Sequence, residues 1–151
     1  MKEYSAELLL WRHAEAEDGA PDSERALTAK GLKQARLVAA WLKSRLPKDF
    51  LILASPAKRA QQTADALVLP YTTEKRIGVH ANPADILTAA GWPRRTGAVV
   101  IVGHQPTLGQ LAAQLLSGKP ADWAVKKGAL WWFSRRGDEV ILRAVLGPDL
   151  L

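Results

Sequence analysis

The sequence predicts an α/β fold, with strands and helices alternating along the chain, and three features carry that prediction. First, three short apolar runs, each too brief for a helix, stop abruptly at polar residues. Glu7–Trp11 stops at Arg12-His13, Phe50–Ala54 at Ser55-Pro56, and Ala98–Val102 at Gly103-His104. Each reads as a buried strand that delivers polar groups to the edge of a sheet. Second, helical periodicity follows in the gaps between them. Third, Gly128–Ser134 and Glu139–Val145 flank Arg135-Arg136-Gly137-Asp138, which is the pattern of a hairpin closing a sheet edge.

Taken in order, the acidic stretch Glu15–Arg25 after the first strand reads as a loop held over its end. Thr28 is placed to cap a helix from Ala29 to Arg45. Leu32, Ala35, Val38, Ala39, Leu42 and Leu46 form its apolar face, and Pro47 ends it. After the second strand, Ser55 as N-cap and Pro56 at the first helical position set Arg59 early in a helix, with a small-residue face of Ala57, Ala60, Ala64 and Leu67. From Leu69 to Gly97 the prolines and glycines break the pattern. A short helix from Pro83 to Ala90 and a brief strand near Glu74–Val79 are the readings there. The all-apolar Ala98–Val102 suits a central strand covered on both faces. Pro106 opens a further helix with Leu108, Leu111, Ala112, Leu115 and Leu116 on one side, closed by Gly118. Trp131 and Trp132 read as core.

At 151 residues the chain is expected to be one domain over 1–151, large enough to bury a core without staples. The net charge of +6 draws anionic partners without choosing among them. The absence of cysteine removes disulfides, thiolate metal sites and cysteine nucleophiles together. No apolar run is long enough to span a bilayer, and the lead from Met1 through Tyr4 into Leu8–Trp11 is too short for a secretory segment, so the expectation is a cytoplasmic protein with no membrane partner.

If the three strands are parallel neighbours, Arg12, His13, Arg59 and His104 meet outside their carboxyl ends, where open α/β sheets place ligands. Two arginines and two histidines describe a phosphate site containing a nucleophile. Guanidinium forks grip two phosphoryl oxygens at once, and neutral imidazole can attack phosphorus and carry the group as a phosphoramidate. His13, at a strand tip beside Arg12, suits the attack, and His104 suits donation to the phosphoryl oxygens. Zinc is the rival reading of the histidines. Two arginines would repel the metal, and neither His-x3-His nor His-Glu-x2-His occurs, so no cofactor or metal is expected. His80 reads as a surface residue.

Four stretches then match one family. Leu9–Glu15, the segment Asp22-x-x-Arg25-x-Leu27-Thr28-x-x-Gly31, the segment Ser55-Pro56-x-x-Arg59-Ala60-x-Gln62-Thr63-Ala64 and Val102–Pro106 together resemble the histidine phosphatase superfamily, with its short SixA-type phosphohistidine phosphatases the nearest likeness. The resemblance runs in order from Glu7 to Leu116. It implies a three-layer α/β/α sandwich of the phosphoglycerate mutase-like kind, with a mostly parallel central sheet and the antiparallel hairpin at its edge. It also implies ping-pong hydrolysis through a phosphohistidine at His13, in a phosphate pocket of Arg12, Arg59 and His104. Arg25 would either add to that pocket or tie down the loop by pairing with an acidic neighbour. Ala14 stands where the family usually has glycine.

The general acid that many superfamily members place in the middle region has no aligned counterpart. Glu74, Asp85 and His80 are available, as are Glu15 and Asp18 on the loop after His13. That gap bears on substrate. An alcohol leaves as a basic alkoxide unless protonated, whereas phosphohistidine releases an imidazole whose conjugate acid has a pKa of roughly 6.5. With no long lid either, the reading is a phosphatase for phosphohistidine on a partner protein, such as a phosphotransfer domain. The alternatives are a small-molecule phosphatase or mutase of the same superfamily, and a noncatalytic phosphate- or nucleic-acid-binding module. Scattered basic residues and the lack of a nucleic-acid-binding signature argue against the last.

Overall fold

The computed structural model describes residues Ser5 to Leu151, and the Met1–Tyr4 lead lies outside the described residues. Six strands form one sheet: β1 (Ser5–Arg12), β2 (Phe50–Ala54), β3 (Thr72–Thr73), β4 (Gly97–Gly103), β5 (Leu130–Arg136) and β6 (Glu139–Leu146). Their order is β3-β2-β4-β1-β5-β6. The first four run parallel, and β5 and β6 form the antiparallel hairpin at one edge. Four helices flank the sheet: α1 (Ala29–Lys43), α2 (Lys58–Asp65), α3 (Pro83–Ala90) and α4 (Thr107–Ser117).

The near-continuous apolar strands follow from burial on both faces. Along β1, Leu9 and Trp11 join Val38, Leu42 and Ala60 of α1 and α2 in one cluster. Leu8 and Leu10 face the other way, onto Ile86, Leu108 and Leu111 of α3 and α4. In β4, Val100 and Val102 take the first side and Val99 and Ile101 the second, giving the α/β/α layering. Trp132 is core, as its pattern predicts, and Trp131 packs against the second cluster.

Several elements depart from the sequence reading. The helix after β2 begins at Lys58 with Ala57 as N-cap, so Ser55 and Pro56 form a turn that precedes it. Thr72–Thr73 and a 3-10 turn at Lys75–Ile77 replace the brief strand expected at Glu74–Val79, because β2 offers only Leu53 and Ala54 as partners there. Helix α1 stops at Lys43, two residues early. Leu32 and Leu116, assigned to buried faces, are over a third exposed.

The Thr28 cap holds: its side chain accepts from the Gly31 amide at 2.9 Å and its hydroxyl donates to Glu15 Oε2 at 2.8 Å. A methyl on Gly31 would run into the Glu15 carbonyl. Glycine at that position therefore lets the loop after β1 lie directly on the start of α1. Gly109 plays the same part on α4, where the Trp123 carbonyl occupies the space of a side chain. That contact seats the segment before β5, and Gln105 Nε2 donates to the same carbonyl at 2.9 Å.

Candidate active site

Strand register brings the polar strand ends together. Arg12 is paired with Gly103 and Ala54 with Val102, so the next residues, His13, His104 and Ser55, emerge side by side from one edge of the sheet. Backbone bonds from His13 N to Gly103 O (3.1 Å) and from Ser55 N to Val102 O (3.0 Å) carry the alignment one step past the strands. The two imidazole rings lie 5.2 Å apart. Arg12, His13, Arg25, Arg59 and His104 line one cavity of about 210 Å³. All the residues singled out from the sequence as a phosphate site are thus in one place.

Each side chain is held. His13 Nδ1 lies 2.7 Å from the Ala14 carbonyl, which can only accept, so Nδ1 carries the proton and Nε2 presents a lone pair. Arg59 Nε donates to that Nε2 at 3.3 Å. Arg12 Nη1 donates to the Val125 carbonyl at 2.9 Å, from the segment that Gly109 seats. Arg59 is buried and is also gripped by Asp22, through the backbone carbonyl (2.9 Å) and Oδ2 (3.1 Å). Asp22 Oδ1 receives Arg25 Nη1 at 3.0 Å, and Arg25 Nε donates to the Glu17 carbonyl at 2.7 Å. Arg25 therefore lines the cavity and ties the loop down at once, joining the two roles that its motif left open.

Ser55 is the residue that sequence reasoning assigned to the wrong task. Fully buried, its Oγ accepts from the Ala57 amide at 3.2 Å and lies 2.7 Å from His104 Nε2. Among the described residues no other acceptor is bonded to that hydroxyl; its donation to His104 Nε2 would place the His104 proton on Nδ1. His104 Nδ1 and Arg12 Nε are buried polar atoms with no partner among the described residues.

The carboxylates considered as acids are committed elsewhere. Glu74 is held down to about 2 by its side-chain bond from Arg76, with the Arg76 amide adding to it. Asp85 forms a capping box with Asn82 at the start of α3. Glu15 Oε2 takes the Thr28 hydroxyl. Asp18 and His80 are exposed and do not line the cavity. Among the described residues, no carboxylate lines it. Asp22, just outside, is held below its usual range first by Arg25 and then by Arg59, so it has no proton to give. No cluster of three or more metal-ligating side chains occurs among the described residues.

Burial dominates the electrostatics. It lowers His13 to about 4, with Arg59 and Arg12 adding repulsion and the Ala14 carbonyl opposing, and it lowers His104 to about 3, helped by His13 and Arg59. It also lowers Arg12. Both imidazoles are therefore neutral at pH 7. Because they are depressed in the folded protein relative to 6.5 in the unfolded chain, the stability they hold is complete above pH 6.5 and is lost as pH falls through 4 and 3. We expect chemical denaturation to report a loss on the order of 3 kcal/mol per histidine between pH 7 and pH 4. The loss should be smaller in His104→Asn, and equal acid sensitivity in that variant would contradict the assignment.

The chain is similar to known proteins in both sequence and fold. The family model described as histidine phosphatase superfamily (branch 1) matches residues 8–78. The phosphohistidine phosphatase SixA of Escherichia coli is 32% identical over 126 residues, covering 75% of this chain and 76% of that protein. Among solved structures, the protein histidine phosphatase SixA complexed with tungstate superimposes with a TM-score of 0.82 at 24% identity, over 95% of this chain and 98% of that one. A phosphoserine phosphatase mutant of Entamoeba histolytica in complex with phosphoserine gives a TM-score of 0.72 at 16% identity, over 97% and 99%. These two superpositions carry the fold alone. No helix among the described residues is long and apolar enough to cross a membrane. By its match to the family model and to the curated relative, this chain belongs to the histidine phosphatase superfamily and is a phosphatase that works through histidine.

Proposed function

We propose that the chain removes phosphate from phosphohistidine on a partner protein, with His13 as the nucleophile. The observation that carries this reading is the content of the cavity. Two neutral imidazoles and three guanidiniums line it, and among the described residues no carboxylate does so to protonate a leaving group. Such a site matches a substrate whose leaving group needs little help. It also fits the substrate named for the Escherichia coli relative and the tungstate bound by the solved neighbour.

The reaction then follows from the atoms. The phosphoryl oxygens take Arg12, Arg59 and His104 Nδ1–H as donors, satisfying the orphaned polar atoms of the resting site. Arg59 shifts from His13 Nε2 to the phosphoryl group and frees the lone pair. Nε2 attacks phosphorus, the P–N bond to the substrate breaks, and the substrate ring, already protonated on its other nitrogen, leaves as neutral imidazole. Water then attacks the phosphohistidine on His13, releases inorganic phosphate and returns the ring to its starting form. Ser55 acts as a positioning residue by fixing the tautomer of His104.

The test is a comparison of kcat/KM for a phosphohistidine-bearing protein with that for sugar phosphates and phosphoglycerates. Faster turnover of the small esters would overturn the reading in favour of a small-molecule phosphatase. The tautomer has its own test. Nitrogen NMR of the parent should find His104 protonated on Nδ1, and Ser55→Ala should shift it toward Nε2 and lower kcat/KM by roughly tenfold. An Nε2–H tautomer in the parent would remove Ser55 from this role.

A further inference from the structure

A second depression adjoins the catalytic cavity and is the larger of the two, about 600 Å³ against 210 Å³. Arg12 and Lys127 line both, so the two are neighbours. Lys30 and Lys33 come from the first turns of α1, three residues apart and hence on one helix face, while Lys126 and Lys127 come from the segment that precedes β5. All four lysines are exposed. The ion pairs found among the described residues join arginines to carboxylates, and none involves these lysines. Two carboxylates, Glu15 and Asp149, line the same cleft against four ammonium groups and Arg12, so the positive charges outnumber the negative ones there.

We infer that this lysine cleft docks an acidic face of the phosphorylated protein, next to the residue that carries the phosphoryl group. The inference rests on the phosphohistidine reading given above. A phosphate ester small enough for the catalytic cavity gains nothing from Lys30, Lys33 or Lys126, which do not line it. A macromolecular substrate spans both depressions. Like charges grouped without partners repel one another, and a complementary surface relieves that repulsion while steering encounter. Among the described residues no aromatic side chain lines the cleft, which therefore lacks the stacking platform of a single-stranded nucleic-acid groove. Ammonium point charges also suit scattered carboxylates better than the two-oxygen grip that arginine gives to phosphate.

The experiment uses two synthetic peptides with one phosphohistidine each, flanked by four glutamates or by four serines, alongside p-nitrophenyl phosphate. At low salt the acidic peptide should be favoured over the serine peptide by about tenfold or more in kcat/KM, chiefly through KM. The difference should close at high salt and in the triple variant K30E/K33E/K126E, whose turnover of the small ester stays within about twofold of the parent. Equal kcat/KM for the two peptides would overturn the docking role and leave the phosphohistidine reading standing. Turnover of the ester with neither peptide hydrolysed would overturn the reading itself. Inhibition of acidic-peptide turnover by oligothymidylate at lower charge concentration than by oligoglutamate would overturn the protein partner in favour of nucleic acid.

Discussion

Replacing His13 with alanine is expected to cut turnover of a chromogenic phosphate ester by roughly 10⁴-fold or more, as loss of an enzyme nucleophile does. Tungstate binding and thermal unfolding should change little. The separation follows from the site, since the oxyanion is proposed to be held by Arg12, Arg59 and His104: Arg12 and His104 make no bond to the His13 ring, and Arg59, which gives it one, keeps two bonds to Asp22. Arg12 hangs from the Val125 carbonyl, Arg59 from Asp22, and His104 from Ser55. After reaction with labelled substrate, the parent should yield an acid-labile, base-stable phosphoenzyme that maps to His13. Retention of ester hydrolysis in the alanine variant, or label on another residue, would remove His13 from the nucleophile's role.

Arg59→Ala should be the next most damaging change, lowering kcat/KM by about 10² to 10³, with a parallel loss of tungstate affinity. In the resting enzyme Arg59 donates to His13 Nε2 and to the carbonyl and Oδ2 of Asp22, and it is proposed to turn to the phosphoryl oxygens when substrate binds. Lysine supplies the charge without the planar fork, so Arg59→Lys should recover only part of the activity. A variant that binds tungstate as tightly as the parent would take Arg59 out of the pocket. Asp22→Asn gives the complementary measurement. The carboxylate occupies Arg59 where an incoming anion would, so its neutralisation should tighten product inhibition by phosphate.

Much of this is legible in the sequence. The strands announced themselves because burial on both faces demands unbroken apolar runs, and Arg12, His13 and His104 stand immediately after two of them. Arg59 was legible from its motif and from its place near the start of a helix. Ser55 was misread for a physical reason: serine before proline after a strand is the usual sign of a cap, and nothing local reveals that the helix starts later and the hydroxyl turns to His104, 49 positions away. The same limit hid Val125 as the anchor of Arg12 at a separation of 113 positions. It also hid the grip of Asp22 on Arg59, since both are contacts made by loops with no periodicity to read. The strand forecast at Glu74–Val79 failed because propensity carries no information about whether a partner edge is free.

The pairing of β1 with β4 at the centre of the sheet has a kinetic corollary. Sliding β4 by one residue would displace His104 by about 3.3 Å and turn it to the opposite side of the sheet, so the two rings stay aligned only while that ladder is intact. Central ladders open last during unfolding, whereas the Glu15–Arg25 loop can come away alone. Mild denaturant should therefore erode substrate capture first, and the ability of His13 to accept a phosphoryl group should persist until the whole molecule melts.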